Sequence, residues 1–175
     1  IPAAIDLVGT NVCMSPGSPA QGQAVKWNAR ITNFGQTTKP AGIINGVAFS
    51  VDGTEVTWSA GNTAALAPGQ ALTLSADAGA SGANWTATAG AHTVQAFVDD
   101  VNRVAEGDEA NNKLSTTFSS GIDLTITNIS WSPSGFPTRG QALTFSATIK
   151  NIGTVATPAG TTLGVNFQID GSGVS

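Results

Sequence analysis

Tyrosine is absent from this chain, and cysteine and histidine occur once each, as Cys13 and His92. A single cysteine excludes an intrachain disulfide. A single histidine rules out catalytic sets and metal clusters built on several histidines. Acid–base catalysis also needs a nucleophile and an orienting group within reach of the base, and the sequence offers no such set. We therefore predict that the protein is not an enzyme, and we interpret His92 as a buried, hydrogen-bonded residue.

Charged side chains are scarce as well, at 10% of 175 residues with a formal net charge of −4. Nucleic-acid binding needs clustered Lys and Arg, and the seven present are scattered, so no nucleic-acid partner is expected. No apolar run approaches the length that spans a bilayer, so membrane insertion is not expected. A surface rich in Ser, Thr, Gly and Ala with few charges is common in extracellular bacterial modules. The composition thus predicts an extracellular or cell-surface location.

The chain contains an internal repeat with a long period. Ile5-Asp6-Leu7 recurs as Ile122-Asp123-Leu124, and 15 of the 32 positions from Gly22 to Gly53 are identical in Gly140 to Gly171. A fixed long period is typical of an array of one domain type. The repeat predicts a first module over 1–118, a short linker over 119–121, and the N-terminal part of a second module over 122–175. The given residues of the second copy reach the counterpart of Thr57.

Alternation of apolar and polar residues with a period of two runs through both copies. In the first copy Val25, Trp27, Ala29 and Ile31 share one face, which predicts a half-buried strand. Turn signals separate such segments, and Asp52-Gly53 is a strong hairpin signal. These patterns predict an all-β fold, an immunoglobulin-like antiparallel β-sandwich repeated in tandem with an incomplete second copy. Further strands are predicted at 5–12, 55–59, 71–76, 92–98 and 113–118, and in the second copy at 122–130, 141–151 and 163–170.

The same motifs carry a family resemblance. The Ile-Asp-Leu opening, the Asn-x-Gly loop at Asn33, the Pro-Ala-Gly loop at Pro40, Leu66-Ala67-Pro68-Gly69-Gln70 and the closing Asp99-Asp100-Val101-Asn102 segment occur together. Together they resemble the CARDB module, the cell-adhesion-related domain found in bacteria. The resemblance implies an immunoglobulin-like sandwich in secreted or surface proteins, often in arrays or beside polysaccharide-active enzymes, and it implies no catalytic chemistry.

One loop concentrates oxygen-bearing side chains. Carboxylate and amide oxygens are the ligands that Ca²⁺ prefers, so a calcium site is one hypothesis for this loop, although its spacing is not that of an EF-hand. The alternative is a turn in which Asn and Asp side chains satisfy the backbone between two strands. The candidate metal ligands are Asp99, Asp100, Asn102, Glu106 and Glu109.

The tryptophans bear on carbohydrate binding, because sugar rings stack on exposed aromatic side chains. Trp27 has a core position and Trp85 is placed to seal one end of the sandwich. Trp58, on the strand after Asp52-Gly53, is the best candidate ligand-binding residue. The sequence does not place a second aromatic residue beside it, so strong binding to simple polysaccharides is not expected.

These observations favour a non-enzymatic extracellular adhesion, assembly or spacer module of a larger bacterial or archaeal surface or secreted protein. Its expected partners are neighbouring modules or copies of itself, because residues 122–175 would expose an apolar face and unpaired strand edges. The protein could thus be a subunit of an oligomer or fibre. The competing hypothesis is a carbohydrate-binding accessory module of a secreted polysaccharide-degrading enzyme, with polysaccharide as the partner.

Overall fold

The computed structural model describes residues 4–173, and in this range every regular element is a β-strand. No helix occurs among these residues, so none is long and apolar enough to cross a membrane. The first unit, residues 4–120, contains β1 (Leu7–Ser15), β2 (Ala24–Asn33), β3 (Val47–Val51), β4 (Thr54–Ser59), β5 (Ala71–Ser75), β6 (Ala78–Gly79), β7 (Trp85–Thr86), β8 (Gly90–Val98) and β9 (Lys113–Ser120). The second unit, residues 122–173, contains β10 (Leu124–Ser132), β11 (Thr144–Asn151), β12 (Gln168–Ile169) and β13 (Ser172–Gly173).

The first unit is an antiparallel sandwich of two sheets. One sheet has the order β1-β2-β5, with the short β7 also paired to β2. The other has the order β6-β4-β3-β8-β9. Hence the immunoglobulin-like β-sandwich predicted from the alternation is confirmed. The two short strands β6 and β7 carry too few residues for alternation to reveal them.

The core lies between the two sheets and contains the predicted inward faces. Trp27 is 1% exposed, and Phe49 on the opposite sheet is fully buried. Burying such a side chain is worth about 1.5–3 kcal/mol. The inward residues of the strands account for most of the core, which consists mainly of Leu7, Val12, Val25, Trp27, Ala29, Ile31, Val47, Phe49, Val51, Leu74, Val94, Ala96 and Val98.

The second unit repeats the first hairpin of the first unit in detail. Strands β1 and β2 shift register at Thr10, and β10 and β11 shift register at Thr127. The Thr10 hydroxyl donates to the Arg30 carbonyl at 3.2 Å, and the Thr127 hydroxyl to the Thr148 carbonyl at 3.3 Å. The same bulge with the same bond shows that the repeated residues adopt the same local structure.

The strand predicted over 163–170 is wrong for most of its length. Only Gln168–Ile169 is extended and paired, with Ser172–Gly173. In the first unit the equivalent strand β3 lies between β4 and β8 and bonds to both. No strand equivalent to β8 is present among residues 122–173, so the backbone of residues 163–167 has no ladder to join.

The connection between the units is three residues long. β9 continues through Ser120 and β10 begins at Leu124, so the predicted linker over 119–121 overlaps the end of a strand. At this point the Pro19 carbonyl accepts from the Gly121 amide at 3.3 Å and from the Thr154 hydroxyl at 3.0 Å. The division of the chain into two modules stays a prediction.

Candidate functional site

The segment that follows β8 is a turn organised by the carboxylate of Asp99. Asp99 has a positive φ of 49° and is 3% exposed. Its Oδ1 accepts the Arg103 amide at 3.0 Å and its Oδ2 accepts the Val104 amide at 2.8 Å. The carboxylate therefore satisfies two backbone donors that the sharp turn would otherwise leave unpaired.

Glu106 connects this turn to the first strand. Its Oε2 accepts the Leu7 amide and its Oε1 accepts the Asn112 side-chain amide at 3.2 Å. The pKa of Glu106 is raised to about 7, mainly by burial and also by the nearby charges of Glu109 and Asp99, while these two hydrogen bonds oppose the shift. The structure thus favours a proton on this carboxyl, or a positive charge near it.

The remaining predicted ligands lie around the same turn. Asp100 forms an ion pair with Arg103 at 3.1 Å. The Glu109 carboxylate accepts the Glu106 amide at 2.9 Å. Asn102 has a positive φ of 53°, and its amide donates to the Asp99 carbonyl at 2.7 Å. At least one carboxylate oxygen therefore accepts a hydrogen bond from the protein in each of the four acidic residues, Asp99, Asp100, Glu106 and Glu109.

The loop holds unpaired oxygens but no gathered set of charged metal ligands. Within residues 4–173, no group of three or more His, Cys, Asp or Glu side chains is gathered closely enough to hold a metal. Two buried amide oxygens in the loop, the Oδ1 atoms of Asn111 and Asn112, lack a hydrogen-bond donor. A cation or a hydrogen-bond donor would satisfy these two oxygens.

Trp58 lies on the outer, solvent-facing side of the five-stranded sheet and is half-buried. Its cross-strand partners are Ala78 on β6 and Ala48 on β3. Ala48 in turn pairs with Phe97 on β8, and Phe97 pairs with Lys113 on β9. One row of side chains, which we call the aromatic row, therefore crosses the whole sheet in the order Ala78, Trp58, Ala48, Phe97 and Lys113.

Sequence analysis missed Phe97 in this row. Its parity within β8 shows that it points away from the core, but only the pairing register places it on the line of Trp58. Lys113 lies with its ammonium nitrogen 4.6 Å from the centre of the Phe97 ring, which is a cation–π contact.

The other tryptophans are used differently. Trp27 is in the core, and Trp85 packs against it and against Phe118, with ring centroids 6.1 Å and 5.8 Å apart. Trp131 is 46% exposed and its indole N–H donates to the Gly135 carbonyl at 3.3 Å. Trp58 and Trp131 are thus the tryptophans placed to meet a ligand, and they lie in different units.

The predicted hydrogen bonding of His92 is confirmed, but the residue is only partly buried and lies at the edge of the core. Its Nδ1 lies 2.7 Å from the Asp52 carboxylate, and its Nε2 lies 2.9 Å from the Thr88 carbonyl. The bond from His92 and the Thr93 amide lower the pKa of Asp52. His92 therefore fastens the Asp52-Gly53 hairpin to β8, which is a structural role.

Lys39 is a buried cation that the sequence did not mark out. It is fully buried and its ammonium donates to the carbonyls of Ile43 and, at 3.0 Å, Ala64. Burial lowers the pKa of Lys39, while the charge of Asp99 opposes this shift. Its bonds fix the 39–45 loop against the 62–66 loop beside the acidic turn.

The sandwich fold and the 99–112 loop define a structural class. The protein is an immunoglobulin-like sandwich module in which most clustered polar side chains hydrogen-bond to the backbone. The CARDB family model matches residues 4–116, and the chain belongs to the CARDB family, a family of non-catalytic, adhesion-related domains.

Solved structures share the fold. A domain from Methanosarcina acetivorans, described as a "putative cell surface protein", is 25% identical over 66% of this chain and 91% of its own, with a TM-score of 0.51. The CARDB domain of a Pyrococcus furiosus protein, solved in complex with di-metal ions, is 23% identical over 67% of this chain and 89% of its own, with a TM-score of 0.49. A search of curated proteins finds no match.

Proposed function

We propose that the protein is a non-enzymatic assembly module of a bacterial or archaeal surface or secreted protein, located outside the cell. Membership of an adhesion-related family supports this at a coarse level. The likeness to a domain described as a "putative cell surface protein" supports the location. The observation that carries the assembly role is the apolar face of the second unit.

That face is exposed where its counterpart in the first unit is buried. Ile126 is 50% exposed and Ile129 is 57% exposed. In the first unit the strand that corresponds to β10 contributes Leu7 and Val12 to the core, opposite β8 and β9. The second unit contains no strand that covers the face in this way among the described residues. Of the eleven large apolar residues that are exposed within residues 4–173, nine belong to this unit, namely Ile122, Leu124, Ile126, Ile129, Trp131, Phe136, Ile152, Leu163 and Ile169.

A second copy of the same chain is the occupant that we propose for this face. An isologous contact would bury the same residues on both copies at once. Each large side chain removed from water would contribute about 1.5–3 kcal/mol. The edges of the two-stranded β10–β11 sheet would also find hydrogen-bond partners.

Size-exclusion chromatography with light scattering tests the proposal on residues 1–175. We expect a dimer or higher oligomer at micromolar concentration. Ile129→Lys, which places a charge on the apolar face, should produce a monomer. Thr148→Lys, on the polar face of β11, is the matched control and should leave the oligomer intact. A monomer at every concentration, or an oligomer that survives Ile129→Lys, would refute self-association through this face.

We further propose that the 99–112 loop binds Ca²⁺, with Glu106 and the unpaired amide oxygens of Asn111 and Asn112 as its principal ligands. The unpaired oxygens of Asn111 and Asn112 and the raised pKa of Glu106 support this ligand set, and Asp99 would hold the turn that positions it. Calcium would compensate the charge repulsion among Glu106, Glu109 and Asp99.

A carbohydrate-binding accessory module of a secreted polysaccharide-degrading enzyme is the second candidate function. The observation that favours it is the presence of Phe97 beside Trp58 on the outer face of one sheet.

A further inference from the structure

On the outer face of the five-stranded sheet, apolar and polar side chains lie in separate rows. The aromatic row places two rings on alternate strands, with the small side chain of Ala48 between them. Adjacent strands are about 4.8 Å apart, so Trp58 and Phe97 are separated by about 10 Å along the row. Ala48 is 3% exposed, which shows that the neighbouring side chains enclose it. The result is a shallow apolar strip across the sheet.

Polar groups border the strip on one side. The next outward-facing row consists of Glu55, Ser50, Gln95 and Ser115, each paired across neighbouring strands. The Gln95 side-chain amide donates to the Ser115 hydroxyl at 3.2 Å, which leaves its oxygen and the remaining hydroxyl capacity free for a ligand.

An ion pair borders the strip on the other side. Gly46 precedes Ala48 by two residues, and a β-carbon at Gly46 would meet the Asp100 carboxylate at 2.8 Å. Asp100 and Arg103 therefore lie against the backbone of Gly46, where a larger side chain would displace them. The pair presents both donors and acceptors at the edge of the strip.

We propose that this outer face binds a polysaccharide chain laid along the aromatic row. Two pyranose rings, about one disaccharide repeat apart, would stack their C–H faces on Trp58 and Phe97. Their hydroxyl groups would bond to Gln95 and Glu55 on one side and to the Arg103–Asp100 pair on the other. An apolar strip with hydrogen-bonding borders suits a sugar chain, whose rings have apolar faces and polar edges.

Lys113 controls access to one of the two rings. Its exposed side chain covers Phe97 in the free protein and must move aside when a sugar stacks there. The flexible lysine side chain can do so without any change in the backbone. Lys113→Ala should therefore leave binding of a neutral glycan unchanged or strengthen it. Sugar binding by the aromatic row rests on the second candidate function above. It does not depend on the proposed self-association, which is tested separately by the oligomeric state.

The test combines binding and nuclear magnetic resonance on the whole chain. Soluble oligosaccharides of cellulose, chitin, xylan, agarose and alginate are titrated into ¹⁵N-labelled protein. At least one should shift the indole N–H signal of Trp58 and the amide signals of β3 and β8, while the indole signal of Trp131 stays in place. This measurement needs no substitution and is independent of variant stability.

Variants then assign the binding energy to the two rings. Trp58→Ala and Phe97→Ala should each weaken binding about tenfold or more. Phe97→Leu, which keeps an apolar side chain but removes the ring, should weaken it comparably. Phe34→Ala is the matched control, because Phe34 is 61% exposed and lies in the loop that follows β2, outside the aromatic row.

Three results would overturn the proposal. These are the absence of any shift of the Trp58 signal with every oligosaccharide, binding that persists in both ring variants, and a shift of the same signals that appears only when the protein concentration rises. The last result would identify the strip as a contact between proteins.

Discussion

At the residue scale, Asn33 shows most clearly how the repeated motifs act. It is fully buried, and its side-chain oxygen accepts the amides of Asp6 at 3.2 Å and Gly35 at 3.0 Å. Its side-chain nitrogen donates to the carbonyls of Thr37 and Leu66, both at 2.9 Å. Asn151 repeats the bonds to Asp123 and Gly153 at the same distances. The Asn-x-Gly motif is thus conserved within the chain for a structural reason.

We expect Asn33→Ala to lower the free energy of unfolding by about 3 kcal/mol, because each buried backbone group left unpaired costs about 1–3 kcal/mol. Urea unfolding followed by circular dichroism would measure the change. Asn11→Ala is the control, because Asn11 is exposed on β1, and it should change stability by less than about 0.5 kcal/mol. Equal effects of the two substitutions would contradict this account.

A second residue-scale prediction concerns the pH dependence that Glu106 creates. Its pKa is about 7 in the folded chain, against an ordinary value of 4.5. The native state therefore holds more protons than the unfolded state between these values, and stability should fall as pH rises from about 4.5 to about 7. The loss should be about 1–3 kcal/mol, complete above pH 7 and absent below pH 4.5.

Glu106→Gln should remove this loss. The glutamine side chain is neutral at all pH values, and its amide can donate to the unpaired Asn112 oxygen once the Asn112 amide rotates. Unfolding curves at pH 5 and pH 7.5 should then differ less for the variant than for the parent chain. Asp52 affects stability in a separate pH range. Its pKa is lowered in the folded chain, so the stability that it contributes is lost only as pH falls below the ordinary value of 3.8 and through the folded pKa. A parent chain equally stable at pH 5 and 7.5, or a variant with the same loss, would contradict the role of Glu106.

At the element scale, the turn between β8 and β9 can be tested by adding calcium. If the loop binds Ca²⁺, a concentration about 100 times the dissociation constant should stabilise the protein by about 2.7 kcal/mol and raise the melting temperature. Glu106→Ala should abolish the rise. Asp99→Ala should abolish it as well, but should also lower the starting melting temperature, because the Arg103 and Val104 amides lose their acceptor. Identical melting curves with calcium and with a chelator would exclude the site.

The same scale shows what alternation can and cannot predict. It located β2, β3 and β8 because one face of each is buried and the pattern lies within the strand itself. It failed over residues 163–167, because a strand also needs neighbours to bond, and pairing is a property of distant segments. The aromatic row was invisible for the same reason. Trp58 and Phe97 are distant in sequence, and only the register of β4, β3 and β8 places them on one line.

The acidic loop was predictable in location but not in its bonding. Its composition indicated the cluster, whereas the partners of Glu106 on β1 and of Asp99 on its own turn depend on tertiary packing. Both hypotheses for the loop, a backbone-satisfying turn and a cation site, draw on the same oxygens. The structure shows the first of these roles for Asp99 and Glu109, and the second stays a proposal for Glu106, Asn111 and Asn112.

At the scale of the whole molecule, the direction of the first and last strands of the first unit has a mechanical consequence. The start of β1 lies beside the turn before β9, where the Gly107 amide donates to the Ile5 carbonyl at 2.8 Å. The end of β9 lies beside the segment after β1, where the Gly121 amide donates to the Pro19 carbonyl. The chain thus enters the sandwich at one end and leaves it at the other, with β1 and β9 running in the same direction. Tension along the polypeptide would load the β1–β2 and β8–β9 ladders in shear. Because ladder hydrogen bonds are perpendicular to the strands, they would bear the force together rather than open one at a time.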